Sequence, residues 1–226
     1  FTPEDIEYLR GKGFYEEFLD YLADFKFSCD VYAVPEGTPI FPGEPIVTVK
    51  GPIIQAQFVE TMVLLCINHQ SLIATKANRI VRAAQGRPIM EFGSRRAQGF
   101  DAAIYGARAA YIGGCAGTAC AVSDIMFGVP ALGTMAHSWV QLFDTELEAF
   151  CAYAREYPDN CVLLVDTYNA LKSGVPNAIE AFKRELLPRG YRPKGIRFDS
   201  GDIAYLSRKA RKMLDEAGFE DCTIVA

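Results

Sequence analysis

Gly195-Ile196-Arg197-Phe198-Asp199-Ser200-Gly201-Asp202 is the stretch on which the fold turns. A short apolar run breaks into a polar turn. The turn opens a segment in which Ile203, Leu206, Ala210, Met213, Leu214 and Ala217 recur at helical spacing. Apolar run, polar loop, amphipathic helix is the grammar of a βα unit, and the same order recurs upstream. Residues 161–165 lead into Asp166-Thr167-Tyr168-Asn169 and a helix that ends before Pro188. Residues 131–136 lead into His137-Ser138 and a helix starting near Asp144-Thr145, and residues 88–92 lead into Gly93-Ser94-Arg95-Arg96 and a helix of small residues. A further unit begins at 222–225. Units in series predict an α/β fold with a parallel sheet, either open and doubly wound or closed as a barrel.

The part of the chain before Pro88 follows another pattern. Residues 4–9 and 14–25 have the apolar spacing of short helices, separated by Gly11 and Gly13. Between 31 and 54, Pro35, Gly37, Pro39, Pro42, Gly43, Pro45, Gly51 and Pro52 punctuate short apolar pieces, the signature of a small β layer with tight turns. Residues 58–84 predict one long helix ending at Gly86. Two domains are therefore expected. The first is an α/β part over 1–87 that includes the long connecting helix, and the second is the βα part over 88–226.

Composition excludes several classes. The chain has 226 residues, 50% hydrophobic and 23% charged, a globular balance that leaves no room for a collagen-like or largely disordered protein. A net charge of −5 argues against a nucleic-acid partner, which needs excess Lys and Arg against phosphate. Seven Cys with no C-x-x-C pair read as thiols of a reducing, cytoplasmic protein, without a disulfide framework or a zinc site. The longest purely apolar run, 62–67, is too short for a membrane span, so no membrane partner is expected. The chain opens at Phe1 and stops at Ala226 directly after an apolar run with the pattern of a buried strand, so a segment truncated at both ends is expected.

The chemistry-bearing residues fall just past the apolar runs: Arg95 and Arg96, His137, Asp166, then Asp199 and Asp202. In parallel α/β folds that edge is where ligands bind. His137 at a strand end suits an acid, a base or a phosphoryl acceptor, and equally a capping imidazole. The Arg95-Arg96 fork matches phosphate or carboxylate oxygens; for one of the two, an ion pair within the protein is the plainer expectation. Asp199 or Ser200 is expected to cap the following helix, with Gly201 easing the turn; the functional alternative is ribose hydroxyls or Mg²⁺. His69 reads as a partly solvated packing residue, and Tyr105, Tyr111 and Trp139 as core. There is no G-x-S-x-G, H-E-x-x-H or Walker A motif, so serine hydrolase, zincin and P-loop NTPase have no support.

Taken together, Glu91-Phe92-Gly93-Ser94-Arg95-Arg96-Ala97-Gln98-Gly99, Gly133-Thr134-Met135-Ala136-His137-Ser138, Leu164-Val165-Asp166-Thr167-Tyr168 and Arg197-Phe198-Asp199-Ser200-Gly201-Asp202 resemble the nicotinate phosphoribosyltransferases, which are type II phosphoribosyltransferases. The turn-rich segment around 35–52 is similar to the N-terminal domain of that family. The resemblance implies an irregular, incomplete parallel βα barrel with a smaller N-terminal α/β domain. It implies a cytoplasmic homodimer that makes nicotinate mononucleotide and pyrophosphate from nicotinate and phosphoribosyl pyrophosphate, coupled to ATP hydrolysis, in NAD biosynthesis. His137 is then the phosphorylated catalytic histidine. Phe92 stacks on the pyridine, Arg95 meets phosphate, Arg96 belongs to the substrate-binding set or forms a supporting ion pair, and Arg197 meets the nicotinate end or the ribose. Asp199 is catalytic and holds ribose hydroxyls, directly or through Mg²⁺, with Asp166, Ser200 and Gly201 on the same substrate. Ala119 stands where nicotinamide-using relatives carry an acidic side chain. A nicotinamide phosphoribosyltransferase and a non-catalytic, metabolite-binding truncated barrel are the rival readings.

Overall fold

The computed structural model describes all residues, 1–226. It is a mixed α/β structure that divides into two compact units, Phe1–Leu132 and Gly133–Ala226; the change of sequence pattern at 87/88 falls inside the first.

In the first unit, α1 (Pro3–Gly11) starts where its sequence dictates. Thr2 accepts from the Asp5 amide at 3.2 Å while Asp5 accepts from the Thr2 amide at 2.7 Å, with Pro3 in the first turn. Helix α2 (Glu16–Ala23) buries Leu19 and Leu22. Strands β1 (Asp30–Ala33) and β2 (Val47–Lys50) pair antiparallel, Asp30 opposite Lys50. Their proline-rich connection is pinned to α4 (Phe100–Ile112) by Glu36, which accepts from Arg108 at 2.8 Å. The long helix α3 (Ile53–Ala83) lies along α4. Small residues let the two approach: Gly106, Ala107, Ala109 and Ala110 of α4 are buried, and a Cβ on Gly113 would meet the Ala74 carbonyl at 2.6 Å. Length and composition alone would let α3 cross a bilayer, which the short run 62–67 did not suggest. Asn68, His69 and Gln70 nevertheless sit at its centre, and His69 is 3.1 Å from the Ala102 carbonyl of α4. Tyr105 and Tyr111 are 39% and 43% exposed rather than core. On a helix whose buried face is a row of alanines, bulky rings are left on the outer side.

Strands β3 (Met90–Glu91) and β4 (Gly117–Thr118) form a parallel pair of two residues each, extended by a bridge from Thr118 to Ala131. Between them and that bridge comes α5 (Ala121–Phe127). The strand expected over 131–136 is thus reduced to Ala131. A β4 of two residues offers no more ladder, and its Gly117 is already so close that a Cβ would stand 2.3 Å from the Pro130 carbonyl.

The second unit holds a three-stranded parallel sheet in the order β5 (Val162–Leu164), β6 (Gly195–Arg197), β7 (Thr223–Val225), with Leu164, Arg197 and Val225 in register. Helices α6 (His137–Val140) and α7 (Glu146–Glu156) precede it, the latter closed by a Thr145/Glu148 capping box. Helix α8 (Val175–Ala181) lies between π-helical turns Ala170–Gly174 and Phe182–Leu186, and α9 (Ile203–Glu216) connects β6 to β7. The core is Phe150, Leu163, Phe182, Ile196, Phe198 and Phe219 with their neighbours, all essentially inaccessible. Gly174 is forced: a Cβ there would lie 1.8 Å from the Val165 carbonyl, so this helix can start against the end of β5 only with glycine.

Candidate active site

The carboxyl edge of the second unit's sheet carries the polar residues, because each strand ends on the residue before its loop. Val165 still donates to the Arg197 carbonyl at 3.0 Å and Phe198 to that of Val225 at 2.9 Å. The next residues, Asp166 and Asp199, leave the ladder side by side. Asp166 accepts from the Asp199 amide at 2.9 Å and from the Ser200 hydroxyl at 2.6 Å, both through Oδ2. Its side chain is only 4% exposed, and Oδ1 has no hydrogen-bond partner. That oxygen lies 3.9 Å from His137 Nε2.

His137 opens the single turn of α6 rather than ending a strand. Its Nδ1 is 3.1 Å from the Thr167 hydroxyl, which fixes the ring, while Nε2 also stands 3.5 Å from Asp199 Oδ2. The imidazole thus faces two carboxylates and remains 38% exposed, so the plain capping role is not what holds it. Arg197, with a side chain 14% exposed, bonds Asp199 Oδ1 and donates to Thr134 Oγ1 at 2.7 Å. A cation beside one carboxylate and an imidazole beside two is an arrangement in which anionic oxygens and sugar hydroxyls find both donors and acceptors.

Asp199 and Ser200 do not cap α9. Asp202 does, accepting from the Tyr205 amide at 2.9 Å, because the turn needs three residues to reverse and Gly201 takes a φ of 85° within it. This leaves Asp199 and Ser200 at the site. Gly201 and Ser200, with Asp166, Tyr168, Lys172 and Leu206, line a cleft of about 380 Å³.

The remaining candidates lie in the first unit, at the ends of β3 and β4. Phe92 is half-buried directly after β3, and Ala119 is exposed directly after β4, its amide donating to the Glu91 carbonyl at 3.0 Å. Arg95 and Arg96 are exposed on a 3-10 turn, Ser94–Arg96. The ion pair expected for one of them is not formed: Glu91, the acid beside the turn, is taken by the Gly93 amide and the Thr118 hydroxyl. Three residues without an assigned role in the sequence steady the candidate groups of their own unit: Thr134 and Thr167 in the second, Glu91 in the first. Thr134 and Thr167 sit inside the quoted motifs. Thr167 directly follows Asp166 and Thr134 stands three residues before His137, and that proximity was the available signal.

Comparison with known proteins adds a name to this geometry. Residues 1–68 match the family model for the nicotinate phosphoribosyltransferase (NAPRTase) N-terminal domain. A nicotinate phosphoribosyltransferase of Mycobacterium tuberculosis is 51% identical over all of this chain and 48% of its own length. One of Bacillus subtilis is 47% identical over all of this chain and 46% of its own. The chain is a relative of the nicotinate phosphoribosyltransferases. The crystal structure of human nicotinic acid phosphoribosyltransferase superposes with a TM-score of 0.88 at 28% identity, over 99% of this chain and 56% of that one. The chain spans about half the length of the curated nicotinate phosphoribosyltransferases it matches.

Proposed function

We propose that this chain is the catalytic-site half of an enzyme that transfers the phosphoribosyl group of phosphoribosyl pyrophosphate to nicotinate, releasing pyrophosphate. The observation that carries the reading is His137, held by Thr167 and faced by Asp166 and Asp199, in a chain about half identical to nicotinate phosphoribosyltransferases from end to end. Ribosyl transfer passes through a cationic, oxocarbenium-like state, so the protein's task is positioning and charge stabilisation. Asp199, pre-aimed by Arg197 through Oδ1, offers Oδ2, on its imidazole side, to ribose hydroxyls. Ser200 and Gly201 lie on the same side of the sugar, and Arg197 gives a carboxylate-bearing base a cation. Phe92 supplies an aromatic face for the pyridine, and the unpaired Arg95 and Arg96 are available to phosphate.

His137 takes the γ-phosphoryl group of ATP on Nε2. The Nε2 lone pair forms the P–N bond, ADP leaves, and the charge that develops on the ring falls between two carboxylates. Nδ1, hydrogen-bonded to Thr167, keeps its proton throughout. Hydrolysis of that phosphoryl group couples ATP to the transfer, and its anionic oxygens reshape the ground on which pyrophosphate leaves.

Mg²⁺ fits the donor set. Asp166 Oδ1 is buried without a partner, and Asp199 Oδ2 touches only the imidazole. No group of three or more metal-ligating side chains is formed. Mg²⁺ is ordinarily held by one or two carboxylates plus phosphate oxygens. Asp199 would hold it, and the ion would neutralise charge on the departing pyrophosphate.

The fold that goes with this reading is an irregular, incomplete parallel βα barrel over 88–226, beside an N-terminal α/β domain part over 1–87, in a cytoplasmic protein. A homodimer accords with the outer face of α3, where Met62, Leu65 and Leu72 are 64%, 65% and 71% exposed. Incubating the full-length protein with nicotinate, phosphoribosyl pyrophosphate, Mg²⁺ and ATP tests the proposal. Nicotinate mononucleotide is the expected product; stabilisation by ligand without product would make this a binding module.

A further inference from the structure

Strands β3 and β4 share only two residue pairs, Met90 with Gly117 and Glu91 with Thr118. So short a ladder fixes the direction of the strands but does little to fix the residues that follow them. Glu91 supplies what is missing. Its Oε1 accepts from the Gly93 amide, past Phe92, and its Oε2 accepts from the Thr118 hydroxyl at 2.6 Å. Thr118 is fully buried, and its hydroxyl oxygen accepts in turn from the Cys120 amide at 2.9 Å, past Ala119. The Ala119 amide closes the circuit on the Glu91 carbonyl at 3.0 Å. Gly93 permits this, since a Cβ there would press on Oε1 at 2.8 Å. One carboxylate therefore buckles together the two backbone segments that carry Phe92 and Ala119.

We infer that Glu91 is a positioning residue for the base: through Gly93 and Thr118 it holds Phe92 and Ala119 at the spacing a flat pyridine needs. This rests on the reading of Phe92 and Ala119 as base contacts. Both carboxylate oxygens are occupied as acceptors, so Glu91 acts through the backbone it holds and not by touching substrate. Charge-assisted bonds of this kind are strong enough to fix such turns beyond what their few backbone bonds supply.

The test uses the full-length protein with Glu91→Ala, Glu91→Gln and Thr118→Val, measuring steady-state kinetics for each substrate and amide exchange by NMR. Glu91→Ala is expected to raise KM for nicotinate at least tenfold, with kcat and KM for phosphoribosyl pyrophosphate within twofold of wild type. Glu91→Gln, which keeps an acceptor for Gly93 and a donor toward Thr118, should stay within threefold. Should Glu91→Ala not fold, Thr118→Val cuts the same link and should raise KM for nicotinate alone, about threefold or more. An unchanged KM for nicotinate, or equal losses for both substrates, overturns the inference. Absence of turnover in the wild type refutes the functional reading separately. In that case faster exchange of the Gly93 and Cys120 amides in Glu91→Ala still reads the buckle, and unaltered exchange abolishes it.

Discussion

Replacing Asp166 by Asn isolates what the second carboxylate does for His137. An amide is nearly isosteric, and its carbonyl oxygen can keep both bonds now made by Oδ2, to the Asp199 amide and the Ser200 hydroxyl. What is lost is the charge 3.9 Å from Nε2. Unit charges about 4 Å apart are worth about 4 kcal/mol at an effective dielectric near 20. The imidazole is 38% exposed and Asp199 remains at 3.5 Å, so solvent and the second carboxylate reduce the net loss. About 1.4–2 kcal/mol is left, roughly a ten- to thirtyfold slower charging of the ring. The assay is uptake of radiolabelled γ-phosphate from ATP as an acid-labile, base-stable adduct, followed over time in wild type and Asp166→Asn. The melting temperature should move by less than about 4 °C, since the hydrogen bonds survive. Labelling at the wild-type rate would refute the reasoning. So would a rate loss accompanied by a large fall in melting temperature, which would make Asp166 a structural residue only.

His137→Ala should abolish that label and the stimulation by ATP while leaving slow ribosyl transfer, because the donor already carries a good leaving group; undiminished ATP coupling would exclude His137. Ala119→Asp would set a like charge against the nicotinate carboxylate, so kcat/KM for nicotinate should fall roughly ten- to a hundredfold relative to nicotinamide; an unchanged ratio would remove Ala119 from the base pocket. Burial pushes the Cys161 thiol up to about 12, with nearby Cys222 adding to it, against an ordinary 9.0. The unfolded chain therefore loses this proton first, and stability is full below about pH 9 and declines as pH rises toward 12, by about 1.4 kcal/mol per pH unit. Cys222, pushed up to about 11 by burial, adds a slope of its own. Chemical denaturation between pH 8 and 11 should therefore show at least that slope, and Cys161→Ala should make it shallower without abolishing it; equal slopes would mean that Cys161 ionises alike in both states.

Much of the second unit is legible in its residues. The apolar runs at 161–165, 195–198 and 222–225 contain β5, β6 and β7 because buried parallel strands need continuous apolar residues, and the α9 stripe marks which helix face meets the sheet. The run Ala131-Leu132-Gly133-Thr134-Met135-Ala136, with no Val or Ile, gives one bridging residue, since a strand also requires a partner of matching length and β4 has two residues. The segment 113–127 hides β4 and α5 behind Ala, Gly and Cys, which carry little periodic signal. Similar limits apply to the exposed Tyr105 and Tyr111: an aromatic ring on a helix says nothing of which face the alanines will claim.

The sequence by itself determined that polar residues follow apolar runs, and hence that Asp166 and Asp199 stand just past strand ends and Arg95 and Arg96 in the loop after β3, while His137, placed by the same pattern at a strand end, opens a helix instead; chain order and side-chain chemistry are local properties. Only the tertiary structure decided which partners they find. That Asp166 turns one oxygen to Ser200 and leaves the other facing His137, that Thr134 steadies Arg197, and that Glu91 reaches Thr118 all depend on how segments far apart in the chain are set against one another. Register is set by packing of the whole sheet against its helices, a sum of many weak contacts that no single motif contains.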